Sequence, residues 1–159
     1  MNNIKNKILI FGFTTLLFGC SQSATSVFKK DPIYAQNVQY SKVIKSIEGQ
    51  NINAIFNITY LNSVDSDKWN NGKQNFLIGS YTFDNKNDFQ LTLNNQKQTS
   101  SKIVLKSDPM YKNIAFLNNW AEYKIVSFDQ VNYKTDNDLL VIEYTHPKYN
   151  TITASFVKE

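Results

Sequence analysis

The sequence predicts a single all-β domain, a sandwich of two antiparallel sheets, behind an N-terminal export segment. Apolar and polar residues alternate in about eight short runs, and polar breaks separate these runs. Only two of the breaks are long enough to hold a helical turn. Alternation with period two is typical of strands that bury one face. A closed barrel has the same period, so alternation alone leaves the number of sheets open.

The candidate strands extend from residue 38 to residue 157. The clearest alternation is that of Phe89, Leu91 and Leu93 with the polar residues between them. The predicted strands are residues 38–46, 52–60, 77–83, 89–93, 102–106, 121–128, 139–145 and 151–157. One row of side chains on a common face is predicted for Leu77, Gly79, Tyr81 and Phe83. The aromatic residues predicted to fill the core are Phe56, Tyr60, Phe83, Phe89, Tyr123, Tyr144 and Phe156. The two long breaks are residues 63–72 and 107–119.

The first nineteen residues have the pattern of an export signal. A short segment with Lys5 and Lys7 precedes an apolar run, residues 8–18. A helix needs about 20 residues to cross a hydrocarbon core of about 30 Å, so this run is too short for a transmembrane anchor. We therefore expect residues 1–19 to be a cleaved signal peptide.

The end of this segment, Leu17-Phe18-Gly19-Cys20, resembles the lipobox of bacterial lipoproteins. In that motif the cysteine thiol receives a lipid and the signal is cleaved just before it. Phe18 departs from the small residue usual at its position, and an ordinary secretory signal with an incidental cysteine is the alternative. Cys20 is the only cysteine, so it has no partner for an internal disulfide. The resemblance implies a covalent lipid on Cys20, and two or three acyl chains would anchor the protein durably.

The expected domain organisation follows from this cleavage. Residues 20–36 are predicted to be the lipidated cysteine and a flexible tether, and residues 37–159 the β-sandwich domain. Ser21 follows Cys20, whereas an aspartate there tends to hold lipoproteins of enteric bacteria at the inner membrane. We therefore expect the protein to be lipid-anchored in a bacterial cell envelope, at the outer membrane if the bacterium has one; the composition also fits bacterial groups without an outer membrane.

Several segments resemble small surface lipoproteins of Campylobacter-type bacteria. They are FKKDPIYAQ at residues 28–36, TYLN at 59–62, NFLIG at 75–79 and the closing hairpin at 139–157. The resemblance implies a variant immunoglobulin-like β-sandwich and a place on the envelope surface. It implies no defined molecular role. The cysteine pair that bridges the sheets of antibody-type domains is absent.

Charge argues against a nucleic-acid partner. Without the two lysines of the signal, fifteen lysines (17 − 2) face thirteen acidic residues, and the chain has no arginine. The lysines are scattered along the chain, and no guanidinium is present to contact guanine in bidentate fashion.

The residues that carry enzyme chemistry are few, so we expect no enzyme and no cofactor besides the lipid. His146 is the only histidine and precedes Pro147 in a predicted surface turn, without a nucleophile motif. Asp65 and Asp67 begin a segment like a calcium loop, but the glycine and glutamate of that motif are replaced by other residues. We therefore expect no metal site. An enzyme that uses carboxylates alone is a weaker hypothesis than a binding module or an accessory subunit of an assembly.

Aromatic residues in or beside predicted loops are the candidate binding residues. They are Trp69, Tyr111, Trp120, Tyr133 and Tyr149. Such amphipathic rings supply contact area for a protein or a glycan. The sequence thus favours a membrane-anchored, non-catalytic surface binding or adhesion module. The alternative is an accessory structural subunit of a periplasmic or secretion assembly.

Overall fold

Two antiparallel β-sheets pack face to face in the part of the chain that the structure describes. This computed structural model describes residues 32–83, 89–130 and 139–158, so the predicted signal, Cys20 and Tyr133 lie outside the described residues. The elements in chain order are α1 (Pro32–Gln39), β1 (Ser41–Glu48), β2 (Asn51–Tyr60), α2 (Leu61–Val64), α3 (Ser66–Trp69), β3 (Lys73–Thr82), β4 (Gln90–Leu93), β5 (Gln96–Lys97), β6 (Ser100–Ile103), a 3₁₀ helix (Pro109–Asn113), β7 (Glu122–Asp129), β8 (Leu139–Thr145) and β9 (Ile152–Val157). The predicted all-β sandwich is confirmed.

The strand order places distant parts of the chain side by side. One sheet has five strands in the order β1-β2-β3-β7-β6, and the other has four in the order β5-β4-β8-β9. All neighbouring strands are antiparallel. The β4–β5 hairpin turns at Asn94 and Asn95, whose φ angles of 45° and 66° suit the tight turns that asparagine tolerates. The Asn94 side chain accepts a hydrogen bond from the Val141 amide at 2.6 Å and donates one to the Leu139 carbonyl at 3.1 Å, which ties the hairpin to β8.

The main core lies between the two sheets and follows the predicted alternation along β2. Its buried members are Ala54, Phe56, Ile58, Tyr60, Phe76, Ile78, Leu93, Val126, Phe128, Leu140, Ile142, Tyr144, Ala154 and Phe156. The predicted core residue Phe89 is partly buried against this cluster. Phe83 was predicted in the core, and this is wrong, because its side chain is 56% exposed. It lies just beyond the end of β3, where the strand no longer covers it, and contacts Tyr81 edge to face.

A second cluster covers the outer face of the five-stranded sheet. It consists of Leu61, Leu77, Val104, Ile114 and Tyr123. Residues 104–121, which we call the cover segment, supply two of these side chains, and α2 supplies Leu61. Both faces of β3 are therefore buried, with Phe76 and Ile78 in the main core and Leu77 in the second cluster. Tyr123, predicted in the sandwich core, is buried in this outer cluster instead.

Several strand and tether boundaries differ from the prediction, and β3 begins at Lys73 rather than at residue 77. Residues 32–36, predicted as tether, belong to α1, which begins at Pro32 because proline's fixed φ suits the first helical position. The first strand therefore begins at Ser41 rather than at residue 38. The strand predicted at residues 102–106 is β6 and ends at Ile103, since Val104 enters the second cluster. Both long breaks hold helical turns, and Asp65 and Asp108 cap them by accepting hydrogen bonds from backbone amides.

Candidate binding surface on the cover segment

The predicted binding aromatics are spread over the domain rather than gathered in one place. Trp69 and Tyr111 are half-buried against the second cluster, and Tyr111 meets Tyr123 edge to face at 5.8 Å. Tyr149 stacks on His146, with the ring centroids 4.5 Å apart. Trp120 differs from these three because its side chain is 80% exposed. Among the predicted residues that the structure describes, Trp120 therefore presents the most contact area.

Two further apolar side chains are exposed beside Trp120. Phe116 is 50% exposed and Leu117 is 40% exposed, so three large apolar residues lie open to solvent within five consecutive positions. Full burial of such a side chain contributes about 1.5–3 kcal/mol, and this free energy is not gained while the side chain stays in water. Exposed apolar residues grouped in this way are typical of interaction surfaces. Phe116 and Leu117 were not among the predicted binding residues, because a short apolar run in a loop has no exposure signal in the sequence.

Hydrogen bonds from β2 hold the Phe116 end of this surface. The Asn57 side-chain amide donates to the Ala115 carbonyl and, at 3.3 Å, to the Phe116 carbonyl. Asn57 is buried on the outer face of β2. Phe116 has a φ of +52°, in the left-handed region that aromatic residues rarely adopt. Such a conformation costs free energy and persists only where its surroundings enforce it, and the Asn57 contacts do so here.

Two further hydrogen bonds hold the Trp120 end of this surface. The Asn118 amide donates to the Tyr123 hydroxyl at 2.8 Å, and the Asn118 side chain accepts from the Trp120 amide at 3.0 Å. Burial raises the pKa of the Tyr123 hydroxyl above its usual value, with the Asn118 hydrogen bond acting in the opposite direction. Tyr123 is thus neutral and buried, and through Asn118 it supports the turn on which Trp120 is exposed. The exposure of Trp120 comes from an ordered turn rather than from a loose loop.

The residues considered for catalysis or metal binding have structural contacts. His146, predicted in a surface turn, is only 9% exposed, because the turn folds back and places its ring against Phe89 and Tyr149. Its Nδ1 accepts a hydrogen bond from the Lys148 amide at 3.0 Å. Asp65 caps α3, and Asp67 is exposed on the same helix. Within residues 32–83, 89–130 and 139–158, no three His, Cys, Asp or Glu side chains are grouped so as to hold a metal ion.

The fold and the exposed surface define a β-sandwich protein with three exposed apolar side chains grouped on the cover segment. No family model, curated protein or solved structure matches the chain. Among the residues described, no helix is both long and apolar enough to cross a bilayer.

Proposed function

We propose that the protein is a lipid-anchored envelope protein that binds a protein or glycan partner through the cover segment, without catalysis. The observation that carries this proposal is Trp120, which is 80% exposed on a turn that two hydrogen bonds of Asn118 hold. Phe116 and Leu117 add apolar area next to it. The lipobox at Cys20 supports the anchoring, and the outer membrane is the proposed location.

The chemistry of these side chains suits a contact surface. Tryptophan is enriched among the residues that dominate interface energies, because a large rigid ring buries much area with few rotatable bonds. The same ring offers a flat apolar face on which a sugar ring can stack. Since the turn is already ordered by Asn118 and Tyr123, binding would not have to order it.

A variant at Trp120 tests the contact surface. We expect Trp120→Ala to weaken binding of the purified protein to partner cells or to envelope proteins by about 2 kcal/mol, which is about thirtyfold. The matched control is Phe83→Ala, because Phe83 is an exposed aromatic residue outside the cover segment. Equal binding by both variants and by the unchanged protein, each shown to be folded by circular dichroism, would contradict the proposal.

A variant at Cys20 tests the location separately. Cys20→Ser should move the protein from the membrane fraction to the soluble fraction, since the acyl chains supply the membrane affinity. Protease added to intact cells should degrade the unchanged protein if it faces outward. A protein that stays in the membrane fraction without this thiol would refute the anchor, whatever the result at Trp120.

The edge strand β6 supports the alternative role as an accessory subunit. Within the described chain, β6 pairs only with β7, so its other edge is available to a strand from a partner. Ile103 on this strand is 56% exposed, whereas Lys102 opposes strand addition by its charge. This alternative predicts a stable complex that co-purifies from the envelope and protection of the protein in intact cells.

A further inference from the structure

A cleft of about 470 Å³ opens between the sheets on the side where β4 and β5 face β6 and β7. Its size lies within the range of small-molecule sites, which is about 300–1,000 Å³. Apolar side chains from both sheets form the inner wall, with Phe56, Ile78 and Val126 on one sheet and Tyr144 on the other. The cleft is distinct from the cover segment, which lies on the outer face of the five-stranded sheet.

Tyr144 is one of the residues that line this cleft, and its hydroxyl is fully buried and has no hydrogen-bond partner among the described residues. The Tyr144 ring is 4% exposed and stacks on Phe56, with the ring centroids 3.9 Å apart. Complete burial raises the pKa of the hydroxyl far above its usual value, so it is a neutral donor at physiological pH. Buried hydroxyl groups in proteins nearly always have a partner, because losing hydration without one costs free energy. A ligand atom that displaces the side chains covering this hydroxyl would supply the missing partner.

The charged residues that line the cleft are all cationic in the described part of the chain. They are Lys97, on β5, and Lys124, on β7. Lys124 also forms an ion pair with Glu122 at 3.0 Å, outside the set of lining residues. Lys97 is exposed at the edge of its sheet. The two ammonium groups therefore favour a negatively charged ligand over a positively charged one.

We infer that the cleft binds a small amphipathic acid. Its apolar body contacts Phe56, Ile78 and Val126, its acidic group faces Lys97 and Lys124, and a second polar atom bonds to the Tyr144 hydroxyl. This inference does not depend on the lipid anchor or on Trp120. It assigns the protein a small-molecule site in addition to the proposed contact surface.

Three naphthalene probes of similar size test the inference by isothermal titration calorimetry. They are 2-naphthoate, 6-hydroxy-2-naphthoate and 2-naphthylmethylammonium, titrated into the full chain carrying Cys20→Ser so that no bilayer competes for the probes. We expect both acids to bind, with dissociation constants below about 1 mM, and the ammonium to bind at least about tenfold more weakly. Equal affinities for acid and ammonium, or no binding of either acid, would overturn the inference.

Variants test which side chains of the cleft contact the acids. Lys97→Gln should weaken both acids about threefold, whereas Lys45→Gln on the distant strand β1 should leave them unchanged. Tyr144→Phe keeps the stacked ring, and it should abolish an approximately fivefold preference for the hydroxylated acid. Urea denaturation checks that each variant is folded. If Tyr144→Phe changes the affinity of neither acid, the hydroxyl is not part of a site and the inference fails.

Discussion

Replacing Gly79 with alanine tests the close contact between β3 and β7 on the outer face of the larger sheet. Gly79 pairs with Tyr123 across the two strands. A Cβ atom added at Gly79 would lie 2.3 Å from Cε1 of the Tyr123 ring and 2.8 Å from both Cδ1 and Cζ. Carbon atoms in ordinary contact are about 3.5–4.0 Å apart, so the ring must move by more than 1 Å.

The ring cannot move without disturbing its other contacts. Tyr123 is 2% exposed, its hydroxyl accepts the hydrogen bond from the Asn118 amide, and its ring meets Tyr111 edge to face. Overpacking a buried site costs about 1–3 kcal/mol, and the lost hydrogen bond adds about 1 kcal/mol. We therefore expect Gly79→Ala to lower the free energy of unfolding by about 2–4 kcal/mol.

Urea denaturation of a double-mutant cycle measures this cost and its cause. Gly79→Ala should be far less costly in a Tyr123→Ala background, because the ring that blocks the new methyl group is then absent. Gly49→Ala is the control, since nothing lies within 4 Å of a Cβ there and only its φ of +60° is unfavourable for alanine. Its expected cost is about 1 kcal/mol in either background. A cost of Gly79→Ala that is the same with and without the Tyr123 ring would refute the reasoning.

Two further perturbations address the cover segment and the buried hydroxyl groups. Asn57→Ala removes the side-chain amide that donates to two carbonyls of the cover segment. It should lower the free energy of unfolding by about 1–3 kcal/mol and hasten proteolysis between residues 104 and 121. Asn51→Ala, at an exposed position of the same strand, is the control and should do neither. Burial raises the pKa of Tyr123 and Tyr144, so folding favours the neutral forms of both side chains. Above about pH 10 the tyrosines of the unfolded chain ionise first. The stability that these two residues contribute should therefore be fully present below about pH 10 and decline above it. Tyr144→Phe should make this alkaline decline shallower by up to about 1.4 kcal/mol per pH unit, and an unchanged slope in urea denaturation would contradict the assignment.

The sequence alone predicted most of the strands and one face of the main core, although it missed the short strand β5. Alternation in residues 52–60 predicted that Phe56 and Tyr60 point the same way, and both lie in the core between the sheets. The strand predicted at residues 139–145 matches β8 at both ends. These features depend on neighbours two positions apart, so a local pattern contains them.

The candidate binding surface was predictable only in part. Trp120 was identified because it lies beside the predicted break at residues 107–119, but its exposure depends on where the cover segment packs. Phe116 was missed because its exposure and its left-handed backbone depend on Asn57, 59 positions earlier in the chain. His146 was misplaced for the same kind of reason, since Phe89, which directly precedes β4 and lies far away in the sequence, contacts its ring.

Tertiary structure alone decided how many layers the protein has and where its cleft lies. Period-two alternation shows which side chains share a face, but it does not show what covers the opposite face. The cover segment buries that face of β3 through Leu77, and the edges of two sheets form the cleft beside Tyr144. Both features arise from contacts between segments far apart in the chain, whose pairing is set by the packing of the whole domain rather than by any local pattern of residues.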